Sequence, residues 1–175
     1  MKDRHLSEQS TIYNYTLLKK IPYSKYYKTM YAGALLLGTT LLFTTFGIRA
    51  VVSILIAYVI VQLLHVLLLR QLLSLAHANN RNVWKIKLDF PSVGYLPDGF
   101  IAASLFKRLH LHLFVVGTAV IAMTYLWVEP VYFYSLLIMH TWVLFPRFLH
   151  LWRFRKLNKT GLIKCNPLDS SFYIA

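Results

Sequence analysis

Two histidines lie inside long apolar stretches of the sequence, where a polar side chain is unusual. His65 precedes Arg70 by five residues, and His140 precedes Arg147 by seven. On α-helices these separations correspond to about 7.5 Å and about 10 Å, which predicts that the two imidazoles lie at similar depth. Polar side chains in apolar spans usually face the interior of a helix bundle, so the pair is a candidate metal or polar site.

Other polar residues extend this candidate site in different ways. Gln62 lies three residues before His65 and therefore shares its helix face. Asp98 is the remaining weak candidate for a metal ligand, although its place before Gly99 also suits a simple tight turn. With His112 as a third ligand, the histidines also suggest haem binding, but no attachment or spacing motif supports it. Two histidines at matching depth can also simply bond to a neighbour or to water.

The usual signatures of catalysis do not occur in this sequence. It has no G-x-x-x-x-G-K-[ST] phosphate loop, no G-x-S-x-G nucleophile elbow and no paired carboxylates within its apolar stretches. The sequence therefore predicts no catalytic residue and no cofactor, with zinc as the alternative.

The composition indicates the class of protein that must position these residues. Of 175 residues, 57% are hydrophobic and only 14% are charged, and the mean hydropathy is +0.51. A soluble domain is typically about 45–50% apolar and about 25% charged. We therefore expect an all-α integral membrane protein with one domain over residues 1–175. Its single cysteine, Cys165, excludes an internal disulfide.

Four segments contain no Asp, Glu, Lys or Arg, and each approaches the roughly 20 residues that a spanning helix needs. They cover residues 29–48, 50–69, 109–128 and 130–146. A single charged residue separates the members of each pair, Arg49 in the first and Glu129 in the second. Pro130 cannot continue the hydrogen bonding of a preceding helix, so a break falls between the last two segments. Because both connections are short, each pair of segments predicts a tight helical hairpin.

The basic residues alternate with these segments. Lys and Arg number six before the first span, one at Arg49, six in residues 70–108, none between the last two spans and six from Arg147 onward. The positive-inside rule then places the N-terminal segment (1–28), the central loop (70–108) and the tail (147–175) on the cytoplasmic side of the cell (plasma) membrane. Because the basic residues are distributed between spans, the net charge of +13 does not indicate nucleic-acid binding.

The central loop contains a strand pattern over residues 83–90, where apolar and polar residues alternate. This pattern predicts a small cytoplasmic β element between the second and third helices. Its apolar face is expected to lie against the membrane or the bundle, while its backbone edge is available to a partner. That face comprises Trp84, Ile86, Leu88 and Phe90.

The order of these features resembles a known family. The stretch around Gln62 and His65, the strand at residues 84–90, the basic tail at 151–163 and the closing Phe172-Tyr173-Ile174 are similar to the small bacterial zincin-like membrane peptidases. These are site-2-protease-like intramembrane metalloproteases of unknown function. The similarity runs from about Ile21 to Ile174.

The resemblance implies a degenerate metal site. His65 matches the first histidine of H-E-x-x-H, but Val66 replaces the glutamate base and Leu69 replaces the second histidine. The third ligand of the family, an acidic residue, would fall near Pro146 and Arg147, where this chain carries a cation.

The function expected from the sequence is therefore binding rather than catalysis. We expect a non-catalytic, multi-pass membrane protein on a metalloprotease-like scaffold, which contacts the lipid bilayer and binds a membrane-protein or peptide partner. The candidate binding residues are the apolar face of the strand together with Gln62. The alternative is a membrane zinc metallopeptidase with a rearranged metal site built from His65, His140 and Asp98.

Overall fold

The computed structural model describes residues 15–75, 83–157 and 161–174 and is mostly helical in these ranges. Parts of the predicted N-terminal segment (1–14), central loop (76–82) and tail (158–160 and 175) lie outside the described residues. The four helices are α1 (Lys25–Phe46), α2 (Ile48–Leu75), α3 (Ala103–Thr124) and α4 (Pro130–Phe154). The strands are β1 (Thr16–Pro22), β2 (Trp84–Lys87), β3 (Gly94–Pro97), β4 (Ile101–Ala102), β5 (Leu162–Cys165) and β6 (Asp169–Ile174).

The helices occupy the four predicted segments but extend beyond several of their boundaries. Gly47 alone joins α1 to α2, at a φ of 61° that favours glycine. The second hairpin begins α4 at Pro130, where the missing N–H costs no helical hydrogen bond. The helix of the fourth predicted span, residues 130–146, continues beyond that span through Pro146 to Phe154.

In the part of the chain that the structure describes, three helices are long and apolar enough to cross a membrane: α1, α2 and α3. Their exposed surfaces are rich in large apolar side chains, such as Leu36, Leu55 and Val115. Helix α4 packs against all three of the others and buries several of its polar residues, among them His140 and Arg147. Helix α4 therefore lies at the centre of the bundle.

The sheet is larger than the sequence predicts and draws on three separate segments. One antiparallel sheet has the order β1-β6-β5-β4, so the N-terminal segment, the central loop and the tail all contribute strands. The expectation of an all-α chain with a β element only in the central loop is therefore incomplete. Since all three segments meet in this sheet, they lie at the same end of the helices.

A separate two-stranded hairpin, β2 with β3, corrects the predicted central strand. The register pairs Trp84 with Pro97 and Lys87 with Gly94, so β2 is only four residues long. Residues 88–93 form the connection that brings β3 back along β2 and cannot extend the strand. Strand β3 is entirely buried and contacts α2, which anchors the hairpin on the bundle.

Candidate functional site

The two predicted histidines meet in the middle of the helix bundle. His65 on α2 and His140 on α4 are both fully buried, and His65 Nε2 lies 2.9 Å from His140 Nδ1. Gly117 on α3 allows this approach, because a Cβ at that position would lie 2.5 Å from His140 Cε1. Three helices therefore fix the pair, at the matching depth that the sequence predicts.

The histidine pair continues into a short chain of polar groups. Thr118 Oγ1 lies 3.3 Å from His140 Nε2, and the Phe114 carbonyl oxygen lies 3.4 Å from the same nitrogen. At the other end, His65 Nδ1 is buried without a hydrogen-bond partner. Each ring thus uses one nitrogen for the hydrogen bond between the two histidines, and His65 Nδ1 has no partner.

A buried arginine is the second component of the site. Arg147 on α4 is 2% exposed, and its Nη2 donates to the Val93 carbonyl oxygen at 3.1 Å. Its Nη1 lies 3.3 Å from His110 Nε2. His110 Nδ1 lies 2.8 Å from the carbonyl oxygen of Phe106 and can only donate there. His110 is therefore the neutral tautomer whose Nε2 accepts from Arg147.

The turn that begins β3 brings Gln62 and Arg147 together. A Cβ on Gly94 would lie 2.5 Å from Arg147 Nη2 and 3.0 Å from Gln62 Oε1, so both side chains occupy the space over this glycine. The φ of Gly94 is 118°, which also favours glycine. Gln62 Nε2 and Arg147 Nε are buried without hydrogen-bond partners.

This arrangement differs from a zinc centre in several respects. Within residues 15–75, 83–157 and 161–174, no group of three or more His, Cys, Asp or Glu side chains could hold a metal ion. Zinc sites in proteins typically use three or four such ligands. The guanidinium of Arg147 adds a fixed positive charge to the polar site, which opposes the binding of a dication.

The positions implied by the family resemblance serve packing in this chain. Leu69 is completely buried in the apolar cluster where the helices meet the strands, and Val66 packs against that cluster. Neither side chain can act as a ligand or as a general base. Arg147, near the expected position of the acidic ligand, lies in the interior beside His110.

The two remaining candidate ligands lie away from the histidine pair. Asp98 follows β3 at the protein surface, where it forms ion pairs of 3.0 Å with Lys85 and 2.9 Å with Lys87. Hydrogen bonds from Lys87 and Lys85 lower the pKa of Asp98 to about 2. His112 is exposed and lies 2.8 Å from the Arg108 carbonyl oxygen of its own helix. The metal set with Asp98 and the haem set with His112 are therefore not assembled.

The predicted apolar face of the central strand is only partly correct. Trp84 is buried against Tyr95 and His110, whereas Ile86 and Leu88 are 63% and 76% exposed. Leu88 and Phe90 belong to the hairpin connection and not to the strand, since the chain has to reverse there. The four side chains therefore do not form one buried face.

The backbone of β2 nevertheless has a free edge. Asp98 N donates to the Val83 carbonyl oxygen at 2.7 Å, which marks this pair as hydrogen-bonded in the ladder. Bonded and non-bonded pairs alternate in an antiparallel ladder, so the pair of Ile86 with Tyr95 is non-bonded. The N–H and C=O groups of Ile86 consequently point away from β3, and among the described residues β2 has no other strand neighbour.

An open cleft of about 580 Å³ runs along this edge. Five consecutive residues, 85–89, form one wall, as expected for a cleft that follows a strand edge rather than one strand face. The opposite wall comes from β5 and the turn that follows it. It consists of Lys164, Asn166 and Pro167, and Asp98 also lines the cleft.

Sequence reasoning did not predict the roles of Arg147 and His110. Arg147 resembles a residue at the membrane boundary because a proline and then basic residues follow the apolar span. The available signal was spacing, since Arg147 lies seven residues after His140, two turns along the same helix face. For His110, the signal was its position four residues after Phe106, on the same helix face. In the structure the centroids of these two rings lie 4.0 Å apart.

Comparison of the chain with models of known protein families, with curated proteins and with solved structures finds no match.

Proposed function

We propose that this chain is a non-catalytic, multi-pass plasma-membrane protein that binds an extended segment of a peptide or membrane-protein partner. In this proposal the scaffold is metalloprotease-like, but its polar interior does not serve peptide hydrolysis. The partner segment adds as a strand to the free edge of β2. The unpaired edge beside an open cleft is the observation that carries this proposal.

The proposed membrane topology has four spans with both termini in the cytoplasm. Its support is the agreement of two independent features. The basic residues concentrate in the N-terminal segment, central loop and tail, and strands from the same three segments pair in one sheet. The two helix connections at Gly47 and residues 125–129 then lie on the outer side.

Strand addition is supported by the geometry of the edge and its surroundings. The free N–H and C=O groups of Ile86 provide the main-chain hydrogen bonds on which this recognition mode depends. The exposed side chains of Ile86 and Leu88 provide apolar surface beside the cleft. Lys85 and Lys87 border the cleft and form ion pairs with Asp98.

Labelling of single cysteines with a membrane-impermeant maleimide tests the topology. A cysteine at the exposed Trp127 is expected to react in intact cells, and one at the exposed Lys156 only after permeabilisation. The native Cys165 provides little background, because burial raises the pKa of its thiol to about 11. Reaction at position 156 but not at 127 in intact cells would show that the topology is inverted.

A proline at Ile86 tests the binding edge. Proline removes the N–H that points into the cleft, whereas the hairpin bonds of the neighbouring residues are retained. With a photocrosslinking amino acid at Pro167, across the cleft, we expect Ile86→Pro to lose the crosslinked partner. Ile86→Ala is the matched control, because it removes the same exposed side chain but keeps the N–H and should retain the crosslink.

Both variants should insert into the membrane at wild-type levels, which protease protection can verify. An unchanged crosslink in a correctly inserted Ile86→Pro protein would exclude strand addition at this edge. Loss of the crosslink in Ile86→Ala as well would assign recognition to the side chain instead of the backbone.

A further inference from the structure

Arg147 is a buried cation without a counter-charge in the described part of the chain. Its partners are the Val93 carbonyl oxygen and the neutral His110 ring. The ion pairs of residues 15–75, 83–157 and 161–174 are Lys20 with Asp169 and the two lysines with Asp98, and none includes Arg147. Removing an uncompensated ion from water costs several kcal/mol in a protein interior.

Unpaired polar atoms accompany this charge. Arg147 Nε and Gln62 Nε2 are buried without partners, and both groups can act only as hydrogen-bond donors. The ring nitrogen His65 Nδ1, one helical turn from Gln62, is also unpaired. His140 Nε2 can only donate to the Phe114 carbonyl oxygen, so His65 Nε2 donates to His140 Nδ1 and His65 Nδ1 is an acceptor that adds no further donor.

The chemistry of these groups specifies the type of ligand. A positive charge and unpaired donors require a species that accepts hydrogen bonds and carries negative charge. A water molecule could accept from two donors but would leave the charge of Arg147 uncompensated. The space is limited, because a Cβ on Gly94 would already lie 2.5 Å from Arg147 Nη2 and 3.0 Å from Gln62 Oε1. The ligand is therefore small.

We propose that the polar site of α2 and α4 binds one small monovalent anion, of the size of chloride or of a single carboxylate group. Arg147 supplies the charge and Nε–H, and the Gln62 amide supplies a further donor. The turn at Gly94 packs on the side chains of Arg147 and Gln62, which connects the site to the β2–β3 hairpin. This binding site is separate from the strand edge of the proposed function and does not depend on it.

The test uses the full-length protein, purified in detergent and exchanged into sodium gluconate, whose anion is too large for the site. Thermal unfolding is then followed as gluconate is replaced by chloride or by formate at constant ionic strength. A ligand that binds only the folded state raises the Tm in a saturable manner. We expect such a rise with at least one of the two small anions. Saturation by chloride indicates a free ion, and saturation by formate alone indicates a carboxylate.

Arg147→Met should remove this anion dependence, since it replaces the cation by an apolar side chain of similar length. Replacing a buried ion in this way is often tolerated, so the variant is expected to fold. Arg153→Met, an exposed position on the same helix, is the matched control and should keep the full response. Gln62→Leu removes one donor and should weaken the apparent anion affinity by about tenfold or more.

Two results would overturn the proposal. One is an equal Tm in chloride, formate and gluconate, which would mean that water alone occupies the site. The other is an anion response that persists in Arg147→Met or, if that variant fails to fold, an unchanged affinity in Gln62→Leu.

Discussion

Replacing Gly117 with alanine is expected to lower the free energy of unfolding by about 3 kcal/mol or more, because two effects add. The new Cβ would lie 2.5 Å from His140 Cε1 and would displace a fully buried ring. Overpacking of this kind costs about 1–3 kcal/mol. The displaced ring would also lose its hydrogen bond to His65, and a buried polar group without a partner costs about 1–3 kcal/mol more.

Gly33→Ala is the matched control for this experiment. Gly33 lies within α1, and a Cβ there would have nothing within 4 Å. Because alanine is the better helix former, this change should be neutral or should stabilise by up to about 1 kcal/mol. Unfolding of both variants in detergent, followed by circular dichroism, gives the comparison. Equal stability of the two variants would mean that the His65–His140 contact does not depend on close approach at Gly117.

The helices and the histidine pair could be predicted from the sequence because their signals are local. Charge-free segments of nearly spanning length mark the helices, and Arg70 and Arg147 mark the ends of two apolar stretches. Counting residues from these arginines gave the relative depth of His65 and His140. The structure places His65 Nε2 2.9 Å from His140 Nδ1.

The four-stranded sheet could not be predicted in the same way. Its strands are two to seven residues long, and only β5 and β6 are neighbours in sequence. Whole helices separate β1 and β4 from their partner strands, so no local pattern indicates these two pairings. Strand β3, Gly94–Pro97, is buried on both faces and therefore lacks the alternation that marks a half-exposed strand. Apolar and polar residues do alternate over residues 83–90, but the strand ends at Lys87, because the chain reverses there to pair β3 with β2.

The interior position of Arg147 depends on tertiary packing and not on its neighbours in sequence. In sequence it begins the basic tail, and only the continuation of α4 through Pro146 brings it into the bundle. The same packing places His110 against it. The site is consequently more basic than the two histidines alone suggested, and this difference bears directly on metal binding.

A zinc site at the histidine pair is not expected to form, even when metal is supplied in excess. Two ring nitrogens 2.9 Å apart are bonded to each other, and opening that bond would provide at most two ligands beside a fixed cation. The double variant Val66→Glu with Leu69→His restores the motif of the resembling family. It should also fail to bind zinc tightly, because Arg147 remains and Leu69 is part of the packed core.

The most direct test of a non-catalytic interior is the zinc content of the purified, full-length protein after incubation with zinc and removal of the free metal. Elemental analysis should find no stoichiometric zinc in the wild type, and His65→Ala should give the same background value. One tightly bound zinc per chain, lost in His65→Ala and retained in the matched variant His112→Ala, would contradict the assignment. Such a result would establish a metal centre in this bundle.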